Sequence, residues 1–430
     1  MADRKHVVIV GGGFAGISVA KKLKKAEVDL TIVDSNNHHL FQPLLYQVAT
    51  AALSPGDIAT PIRAILGQRK GLRVLLGKVT DIRRDQRLIE LKNGRRIGFD
   101  YLVLAPGARY NYFGNDDWPK HAPGLKSIGD ALQVRERILL SLEEAEQLED
   151  PKLREPYLTY VVIGGGPTGV EMAGAIAEIA KRNMMRDYST FSKNETRIFL
   201  VEAAPRILNG YPESLAEKAR ETLEEMGVRV LLDTPVTNIG RGEVSFSEGT
   251  IQTPNIIWAA GVAASPLLTS LRAEQDRTGR VIVGEDLSLP GDDHIFVIGD
   301  AAHKEDAAGN PLPALAPVAM QQGDFVGKLI RKELADPERE RKAFSFTDKG
   351  TMATVGRAKA VADIRGFKFS GFFAWTLWSV VHIFFLIGFR NRFRVFVEWM
   401  WHYLTFNRGV RLITDRKSDK EEKTTNLYGS

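Results

Sequence analysis

The sequence has no cysteine among its 430 residues. This absence excludes disulfide bonds, thiolate metal sites and any redox mechanism that passes electrons through a Cys-x-x-Cys pair. Histidines and carboxylates do not cluster at the spacing of metal ligands, so we expect no metal site. No export signal is visible either, since the apolar stretch at residues 7–10 runs directly into glycines. We therefore expect the protein to act on the cytoplasmic side.

Long apolar runs are scarce, and the longest is FFAWTLWSVVHIFFLIGF at residues 372–389. As one helix it would rise about 27 Å, slightly less than the thickness of a hydrocarbon core. Ser379 and His382 lie in its middle with Trp375 and Trp378 close by, whereas a membrane-spanning helix places tryptophan at its ends. The pattern predicts a helix that lies in the membrane interface. A buried or dimer-interface helix and a membrane span are the alternatives.

The next segment, residues 390–411, has the pattern of an amphipathic helix. Arg390, Arg394 and Glu398 fall on one side of it. The other side carries Phe393, Phe396, Val397, Met400, Trp401 and Leu404. Basic residues interleaved with aromatic residues are typical of a helix attracted to the surface of anionic lipid.

Length and composition indicate a folded protein of several domains. A chain of 430 residues is too long for one hydrophobic core, and 44% hydrophobic with 26% charged residues is typical of globular proteins. The net charge of +5 suits an anionic membrane surface or a nucleotide, but alone it selects neither.

Two glycine loops repeat one sequence pattern. HVVIVGGGFAGISVAKKL at residues 6–23 and YVVIGGGPTGVEMAGAIAEIA at residues 160–180 each combine a β-branched strand, a Gly-x-Gly-x-x-Gly loop and apolar residues at helical spacing. Glycine permits the tight turn, the approach of backbone N–H groups to a pyrophosphate, and close packing of helix on strand. The pattern therefore predicts two dinucleotide sites, each at a helix N-terminus. The glycines are Gly11, Gly13 and Gly16 in the first loop and Gly164, Gly166 and Gly169 in the second.

An acidic residue ends the strand that follows each loop. Asp34 and Glu202 stand where a carboxylate can bind the ribose hydroxyls of a dinucleotide. At the second site Glu202 favours NADH over NADPH, because a 2′-phosphate would meet like charge. Arg206 nearby argues in the opposite direction.

The order of the strands predicts the domain organisation. Further strands at residues 100–108, 255–262 and 294–302 each run into a turn of small residues. This order predicts an α/β fold with two dinucleotide-binding, Rossmann-like domains, the second inserted in the first. The first domain would cover residues 1–119 and 276–340, the second residues 120–275, the C-terminal region with the amphipathic helices residues 341–415, and a polar tail residues 416–430.

These motifs together resemble the two-dinucleotide-fold flavoprotein reductases, and more narrowly the type II NADH:quinone oxidoreductases. The two glycine loops and the late Gly-Asp strand end carry the wider resemblance. HHLFQPLLYQVAT at residues 38–50, GGGPTGVE, APVAMQQG and the aromatic tail carry the narrower one. The resemblance covers nearly the whole chain and implies that the first domain binds FAD and the second NADH.

The resemblance also implies roles for single residues. Glu171 would lie near the nicotinamide and the flavin ring, although the helix dipole alone also favours an acid there. The quinone-side motif of the family usually reads Ala-Gln-x-Ala-x-Gln; here Pro317 replaces the first glutamine, and Gln321 is assigned to the quinone. FAD would be held by Gly11, Gly13, Gly16, Asp34, Gln47, Gly107 and Asp300, and NADH by Gly164, Gly166, Gly169 and Glu202, with Gly261 as a further cofactor-binding residue.

The expected function is that of a monotopic flavoenzyme on the cytoplasmic side of the inner membrane. NADH would reduce FAD, and two electrons would pass to a membrane quinone without proton pumping. Expected partners are NADH, the quinone, the bilayer surface reached by the C-terminal helices, and a second copy of the chain in a homodimer; nucleic acid is not expected. Two alternatives stay open, namely a reductase of a soluble electron-carrier protein and a non-catalytic NADH-sensing flavoprotein.

Overall fold

Parallel strands alternate with helices in two units that each draw on three stretches of the chain. The computed structural model describes residues 4–180, 187–405 and 410–413, with the backbone alone at 402–404. The predicted polar tail and the side chain of Leu404 lie outside these residues. The first unit draws on Met1–Leu40, Ala59–Arg109 and Val262–Thr347, and the second on Phe41–Ile58, Tyr110–Gly261 and Asp348–Ser430.

The units divide the chain at other points than the domain boundaries expected from the sequence. The chain changes unit at residues 109/110 and 261/262, close to the strands Ala108–Tyr110 and Val262–Ala264, rather than at 119/120 and 275/276. The second unit also takes residues 41–58 and the C-terminal region. The α/β fold class is confirmed, while the assignment of one nucleotide to each domain stays a prediction.

A six-stranded sheet forms the centre of the first unit. The strand His6–Val10 pairs in parallel with both neighbours, which places Val10 opposite Val33 and Leu104. Apolar strands of this kind are expected where helices cover both faces of a sheet. Only the edge strand Ser288–Leu289 is antiparallel to its neighbour. Across the sheet the strands are Ser288–Leu289, Asp292–Val297, Tyr101–Leu104, His6–Val10, Asp29–Asp34 and Leu72–Leu76.

Two helices of the first unit pack against each other, Phe14–Leu23 and Ala316–Glu333. They approach closely because glycine lies in the contact: a Cβ on Gly323 would be 2.3 Å from the carbonyl oxygen of Ala15. The other elements of this unit are the helix Ile62–Leu66, the 3-10 turns Pro266–Leu271 and Gly299–Ala301, and the strands His38–Leu40, Ala59–Pro61, Val79–Arg83, Leu88–Leu91, Arg96–Gly98, Val281–Ile282 and Ala302–His303.

The second unit contains a four-stranded parallel sheet. Thr159–Ile163 is a central strand, with Ile163 opposite Val201 and Trp258. Trp258 is fully buried and anchors the core on one side of this sheet. The sheet order is Val228–Leu231, Arg197–Val201, Thr159–Ile163 and Asn255–Trp258; antiparallel strands lie at Val236–Gly240, Glu243–Phe246 and Gly249–Gln252. Helices of this unit are Leu45–Ala49, Pro55–Ile58, Trp118–His121, Ile128–Gln147, Pro151–Arg154, Pro167–Glu178 and Glu213–Glu225, with a 3-10 turn at Gln42–Leu44.

The C-terminal region packs on the helices of the second unit. Its strand Thr351–Gly356 lies on helix Pro167–Glu178, so close that a Cβ on Gly174 would be 1.7 Å from the carbonyl oxygen of Val355. Lys359 Nζ forms an ion pair with Glu225 at 2.6 Å. The antiparallel strands of the region are Thr351–Gly356, Lys359–Ile364 and Phe367–Ser370, followed by the helices Gly371–Phe385 and Phe389–Thr405.

The long apolar run is not the single helix that its length suggested. The first helix ends at Phe385, Leu386 is extended, and Gly388 has φ of +92°, a conformation that glycine adopts without a steric penalty. A new helix begins at Phe389. Over residues 4–180, 187–405 and 410–413, the structure contains no helix long and apolar enough to cross a membrane.

Candidate functional site

The first glycine loop has the geometry of a phosphate-binding turn. Gly11 has φ of +105°, and a Cβ there would be 2.0 Å from the carbonyl oxygen of Ala105. A Cβ on Gly16 would be 1.9 Å from the carbonyl oxygen of Gly11, whereas a Cβ on Gly13 would meet nothing within 4 Å. No side chain caps helix Phe14–Leu23, which begins at this loop. Gly11 and Gly16 thus make the turn and the helix contact, while Gly13 leaves space at a helix N-terminus.

Asp34 is held by the first loop itself. Its Oδ2 accepts a hydrogen bond of 2.5 Å from the N–H of Gly12, and its Oδ1 accepts one of 2.6 Å from the N–H of Asn36. The carboxylate is therefore fixed beside the loop at the end of strand Asp29–Asp34. This is the position in which an acid can bind ribose hydroxyls.

Gly107 follows the strand Tyr101–Leu104, which lies beside His6–Val10, and Asp300 follows Asp292–Val297, which lies one strand further along the sheet. Both strands are parallel to His6–Val10, so their carboxyl ends meet at the same edge of the sheet. Gly107 has φ of +70° and open space where a Cβ would stand. Asp300 lies in the turn Gly299–Ala301, which directly follows the strand end. The sheet of the first unit thus brings together six of the seven residues assigned to FAD.

The second glycine loop repeats this geometry in the second unit. Gly164 has φ of +108°, and a Cβ on Gly169 would be 1.8 Å from its carbonyl oxygen. A Cβ on Gly166 would meet nothing within 4 Å. Glu202 accepts hydrogen bonds from the N–H of Gly165 at 2.5 Å and, through its other oxygen, from the N–H of Ala204 at 2.8 Å. The second loop and its acid are therefore arranged like the first.

Gly261 lies at the end of the neighbouring strand Asn255–Trp258. It has φ of +60°, and a Cβ there would be 2.7 Å from the ring of Phe113. Its carbonyl oxygen accepts a hydrogen bond from the N–H of Asn111. Both the backbone conformation and the close ring require glycine, so the fold alone explains this residue, and its role in cofactor binding stays a prediction.

A cavity of about 750 Å³ lies next to the strand end that carries Glu202. Arg206 lines it, and its guanidinium donates a hydrogen bond to the carbonyl oxygen of Asn209. Two carboxylates, Glu213 and Glu217, also line it. Glu217 is paired with Arg220. Counted with Arg220, the positive and negative groups at the cavity balance, so its charge does not distinguish NADH from NADPH. Its lining residues are Pro205, Arg206, Asn209, Glu213, Ser214 and Glu217.

Glu171 lies in helix Pro167–Glu178, two residues after the last glycine of the second loop. It is half-buried, and its carboxylate accepts a hydrogen bond from the backbone N–H of Thr354. Burial raises the pKa of Glu171 to about 8, and the hydrogen bond from Thr354 opposes this rise. This rise favours the protonated side chain near neutral pH, whereas an acid in an ordinary helix turn is ionised there. A carboxyl with a pKa near neutral suits proton transfer.

Gln321, assigned to the quinone, is already engaged with the backbone. Its Nε2 donates to the carbonyl oxygen of Thr347 at 2.9 Å, and its Oε1 accepts from the N–H of the same residue at 3.0 Å. The neighbouring Gln322 is buried, and its Oε1 accepts a hydrogen bond of 2.6 Å from the N–H of Gly299. Gln322 rather than Gln321 thus reaches the turn that carries Asp300. The quinone role of Gln321 stays a prediction.

Gln47 belongs to the second unit, in the short helix Leu45–Ala49. It is only 8% exposed. Its Nε2 donates to the hydroxyl of Tyr46 at 2.9 Å, and its Oε1 accepts from the indole Nε1 of Trp399 at 2.7 Å. The C-terminal helix Phe389–Thr405 therefore contacts a residue that the resemblance assigns to the flavin.

Comparison with known proteins identifies the family. The profile of the pyridine nucleotide-disulphide oxidoreductases matches residues 5–323, and that of the NDH2 C-terminal domain matches residues 349–408. Two type II NADH:quinone oxidoreductases of Mycobacterium tuberculosis are 42% and 40% identical to this chain, over 96% and 97% of it and 91% of their own lengths. One of Staphylococcus aureus is 31% identical over 86% of this chain and 92% of its own. The chain belongs to the type II NADH:quinone oxidoreductases.

Solved structures support the same fold. The structure of NDH2 from Plasmodium falciparum in complex with NADH superposes with a TM-score of 0.85, at 20% identity over 95% of this chain and 100% of that one. The sulfide:quinone oxidoreductase of Aquifex aeolicus has a TM-score of 0.71 at 16% identity, over 93% of this chain and 96% of its own. The expectation of an enzyme of this family is confirmed, and neither a soluble-carrier reductase nor a sensor is favoured.

The sequence patterns did not indicate the contacts of two residues, Gln322 and Trp399. Gln322 was not distinguished from Gln321, because only the rotation of the helix decides which amide faces the Gly-Asp turn. Trp399 was not singled out, because its partner Gln47 lies 352 residues away in the sequence. The helical pattern placed Trp401 on the apolar face, but no local pattern indicates a contact at such a distance.

Proposed function

We propose that the protein oxidises NADH through a bound FAD and reduces a membrane quinone while it lies on the membrane surface. The observation that carries this proposal is the pair of matching sites, each with an open central glycine at a helix N-terminus and an acid bound to the loop. In the first unit, Gly11, Gly13, Gly16 and Asp34 would hold the FAD adenosine and pyrophosphate, with Gly107 and Asp300 at the same sheet edge. When bound, FAD accepts a hydride and passes on two electrons.

In the second unit, Gly164, Gly166 and Gly169 would bind the pyrophosphate of NADH. Glu202, held by two backbone N–H groups, would accept hydrogen bonds from the adenosine ribose and repel a 2′-phosphate. Burial raises the pKa of Glu171 to about 8, and Glu171 is the group we assign to proton transfer during turnover.

The C-terminal helices support attachment to a membrane surface. The described side chains on the predicted apolar face of helix Phe389–Thr405 are all exposed, from 45% at Val397 to 60% at Phe393, whereas Val395 on the opposite side is buried. An exposed apolar patch of this kind marks an interaction site, and flanking arginines suit anionic lipid. We assign the patch to the inner membrane on its cytoplasmic side. A homodimer stays a prediction.

The experiment that tests the activity is steady-state NADH oxidation by the purified, FAD-loaded protein with a short-chain quinone and, separately, with ferricyanide. We expect a yellow protein that uses both acceptors and prefers NADH to NADPH. A protein that cannot be reconstituted with FAD, or that reduces ferricyanide but no quinone, would overturn the proposal.

Membrane attachment is tested with the double variant Phe393→Glu, Met400→Glu. We expect it to leave membranes on washing while it keeps NADH-to-ferricyanide activity, because two charges on the exposed face oppose insertion. Leu153→Glu is the matched control, since Leu153 is equally exposed but lies on the separate helix Pro151–Arg154. Full retention of the double variant on membranes would contradict the interfacial assignment.

A further inference from the structure

The first glycine loop is held by side chains at both polar groups of Gly12. Its N–H donates to Asp34, and its carbonyl oxygen lies 3.2 Å from Nδ1 of His39. A carbonyl oxygen can only accept a hydrogen bond, so Nδ1 carries the proton and Nε2 of the neutral ring carries none. His39 therefore binds the loop itself, through one defined ring nitrogen.

The ring of His39 lies in an apolar setting that does not need a histidine. It is 2% exposed, and its Nε2 has no hydrogen-bond partner among the residues that the structure describes. Burial lowers the pKa of His39 to about 4, so the ring is neutral at neutral pH. The ring of Phe14 meets it edge-on, with centroids 4.8 Å apart. An apolar side chain would leave no unpaired nitrogen here, so packing alone does not explain this residue.

The bond to the Gly12 carbonyl also determines where the next N–H points. The peptide between Gly12 and Gly13 is trans, so its C=O and N–H have opposite directions. The N–H of Gly13 is therefore directed away from His39. Within the described part of the chain it donates to no group, and Gly13 is the loop position where a Cβ would meet nothing within 4 Å. An N–H of this kind at a helix N-terminus is available to a phosphate.

The second loop holds the equivalent peptide with a different donor. The carbonyl oxygen of Gly165 accepts a hydrogen bond of 2.8 Å from the backbone N–H of Leu208. A backbone donor stays in place when the side chain is changed. The donor of the first loop belongs to a side chain, so substitution can remove it there and leave the second loop intact.

We propose that His39 is a positioning residue, which binds the Gly12 carbonyl and so fixes the Gly13 N–H for a phosphate of FAD. The proposal rests on the function proposed above, in which the first loop binds FAD. Every residue that it uses belongs to the first unit. Without the Nδ1–H the peptide is free to rotate and must be ordered when the phosphate binds, which lowers affinity.

Three substitutions of His39 in the full-length protein separate the donor from the packing. His39→Leu has no N–H, and we expect the dissociation constant of FAD to rise about tenfold, as for loss of a buried hydrogen bond. His39→Asn places an amide nitrogen where Nδ1 stood and should stay within about threefold of wild type. His39→Gln places it one bond further out and should behave like His39→Leu. The fluorescence of flavin released on dilution measures FAD affinity, and if His39→Leu does not fold, His39→Asn against His39→Gln decides.

His38→Leu is the matched control. His38 precedes His39 in the strand His38–Leu40, where successive side chains point to opposite faces, so this variant should bind FAD as wild type does. A second control uses the other loop. With FAD at saturating concentration, the Michaelis constant for NADH should equal that of wild type in every variant, because the second loop takes its donor from Leu208.

Two results would make the proposal wrong while the proposed function stands. Equal losses of FAD affinity in His39→Asn and His39→Leu would mean that the ring acts through its volume, and wild-type affinity in both would mean that it does not position FAD. Unchanged FAD affinity with a raised Michaelis constant for NADH would instead overturn the assignment of FAD to the first loop. If the wild-type protein binds no FAD, the proposed function fails and this inference fails with it.

The hydrogen bond can also be observed independently of FAD affinity. In the full-length protein labelled with ¹⁵N-histidine, His39→Asn identifies the ring resonances of His39 by removing them. At neutral pH these should be the resonances of a neutral ring with its proton on Nδ1. A proton on Nε2, or a charged ring, would contradict the contact with Gly12 and with it the proposal.

Discussion

The two glycine loops have nearly identical backbone geometry. A Cβ on Gly16 would be 1.9 Å from a loop carbonyl oxygen, and a Cβ on Gly169 would be 1.8 Å from the equivalent one. Asp34 accepts a hydrogen bond of 2.5 Å from the N–H of Gly12, and Glu202 accepts one of the same length from the N–H of Gly165. Both loops therefore have the same geometry, which does not indicate which of them binds FAD and which binds NADH.

The difference lies in the helix that follows each loop. Two residues after the last glycine, the first helix has Ser18, which is 8% exposed and packs against Gly323 of helix Ala316–Glu333. The second helix has Glu171 at this position, covered by strand Thr351–Gly356 of the C-terminal region. After the first loop this position is a serine packed between two helices, and after the second loop it is a glutamate, which can ionise. The two helices therefore differ at this position in the group they carry, and burial raises the pKa of the one that can ionise.

The largest effects are expected from Gly16→Ala and Gly169→Ala. The added methyl group would overlap a backbone carbonyl in either loop, so helix and strand must separate. We expect Gly16→Ala to yield protein without FAD. Gly169→Ala should keep FAD but lose NADH oxidation by at least about tenfold. Flavin absorbance and NADH-to-ferricyanide rates measure the two outcomes.

The matched controls are Gly13→Ala and Gly166→Ala. A Cβ at either position meets nothing within 4 Å, so the fold should tolerate it and the melting temperature should stay near that of wild type. Nucleotide affinity should nevertheless fall, because the methyl group occupies the space needed by the phosphates. If both controls bind nucleotide as wild type does, the phosphate sites are assigned wrongly.

The next largest effect is expected when the acid beside each loop, Glu202 or Asp34, is replaced by its amide. Glu202→Gln should raise the Michaelis constant for NADH about tenfold and lower that for NADPH, because a charged hydrogen bond to the ribose and the repulsion of a 2′-phosphate are both lost. Asp34→Asn is the counterpart in the first loop and should weaken FAD without changing the preference between NADH and NADPH. A change of preference in Asp34→Asn would reverse the assignment of the two sites.

The sequence predicted the parts of this comparison that depend on local patterns. The loops, the acids at 34 and 202 and the α/β fold follow from strand, glycine and helix signals within short stretches. The layer that covers each helix does not, because Thr354 comes from a strand 183 residues after Glu171. The break in the apolar run was missed for another reason. The helix is interrupted near Gly388, which has φ of +92°. A single glycine within an apolar run does not by itself indicate such an interruption.

A smaller effect, of several-fold, is expected from Glu171→Gln. The variant cannot release or take up a proton at this position, so flavin reduction or turnover should slow while FAD stays bound. Ser18→Ala at the equivalent position of the first helix is the control and should leave both rates unchanged. If the variant matches wild type both in stopped-flow flavin reduction and in steady-state rate, Glu171 has only a structural role.

The smallest effect is the pH dependence that the ionisation of Glu171 gives to the stability of the folded protein. Burial raises the pKa of Glu171 from 4.5 to about 8, so the unfolded chain releases this proton near pH 4.5 and the folded protein near pH 8. Between these values ionisation favours the unfolded state, and the stability of the wild type falls progressively until about pH 8, above which the contribution is constant. The uncharged glutamine of Glu171→Gln has no such dependence.

The melting temperature of Glu171→Gln relative to wild type should therefore increase by a few degrees from pH 5 to pH 8 and then level off. Thermal melts of the protein without NADH, at one-unit steps from pH 5 to pH 9, measure this difference. Ser18→Ala provides the reference, since its difference from wild type should not depend on pH. A flat difference for Glu171→Gln as well would mean that the carboxyl is already ionised at neutral pH. Glu171 would then carry no proton at neutral pH and could not donate one during turnover, as we propose.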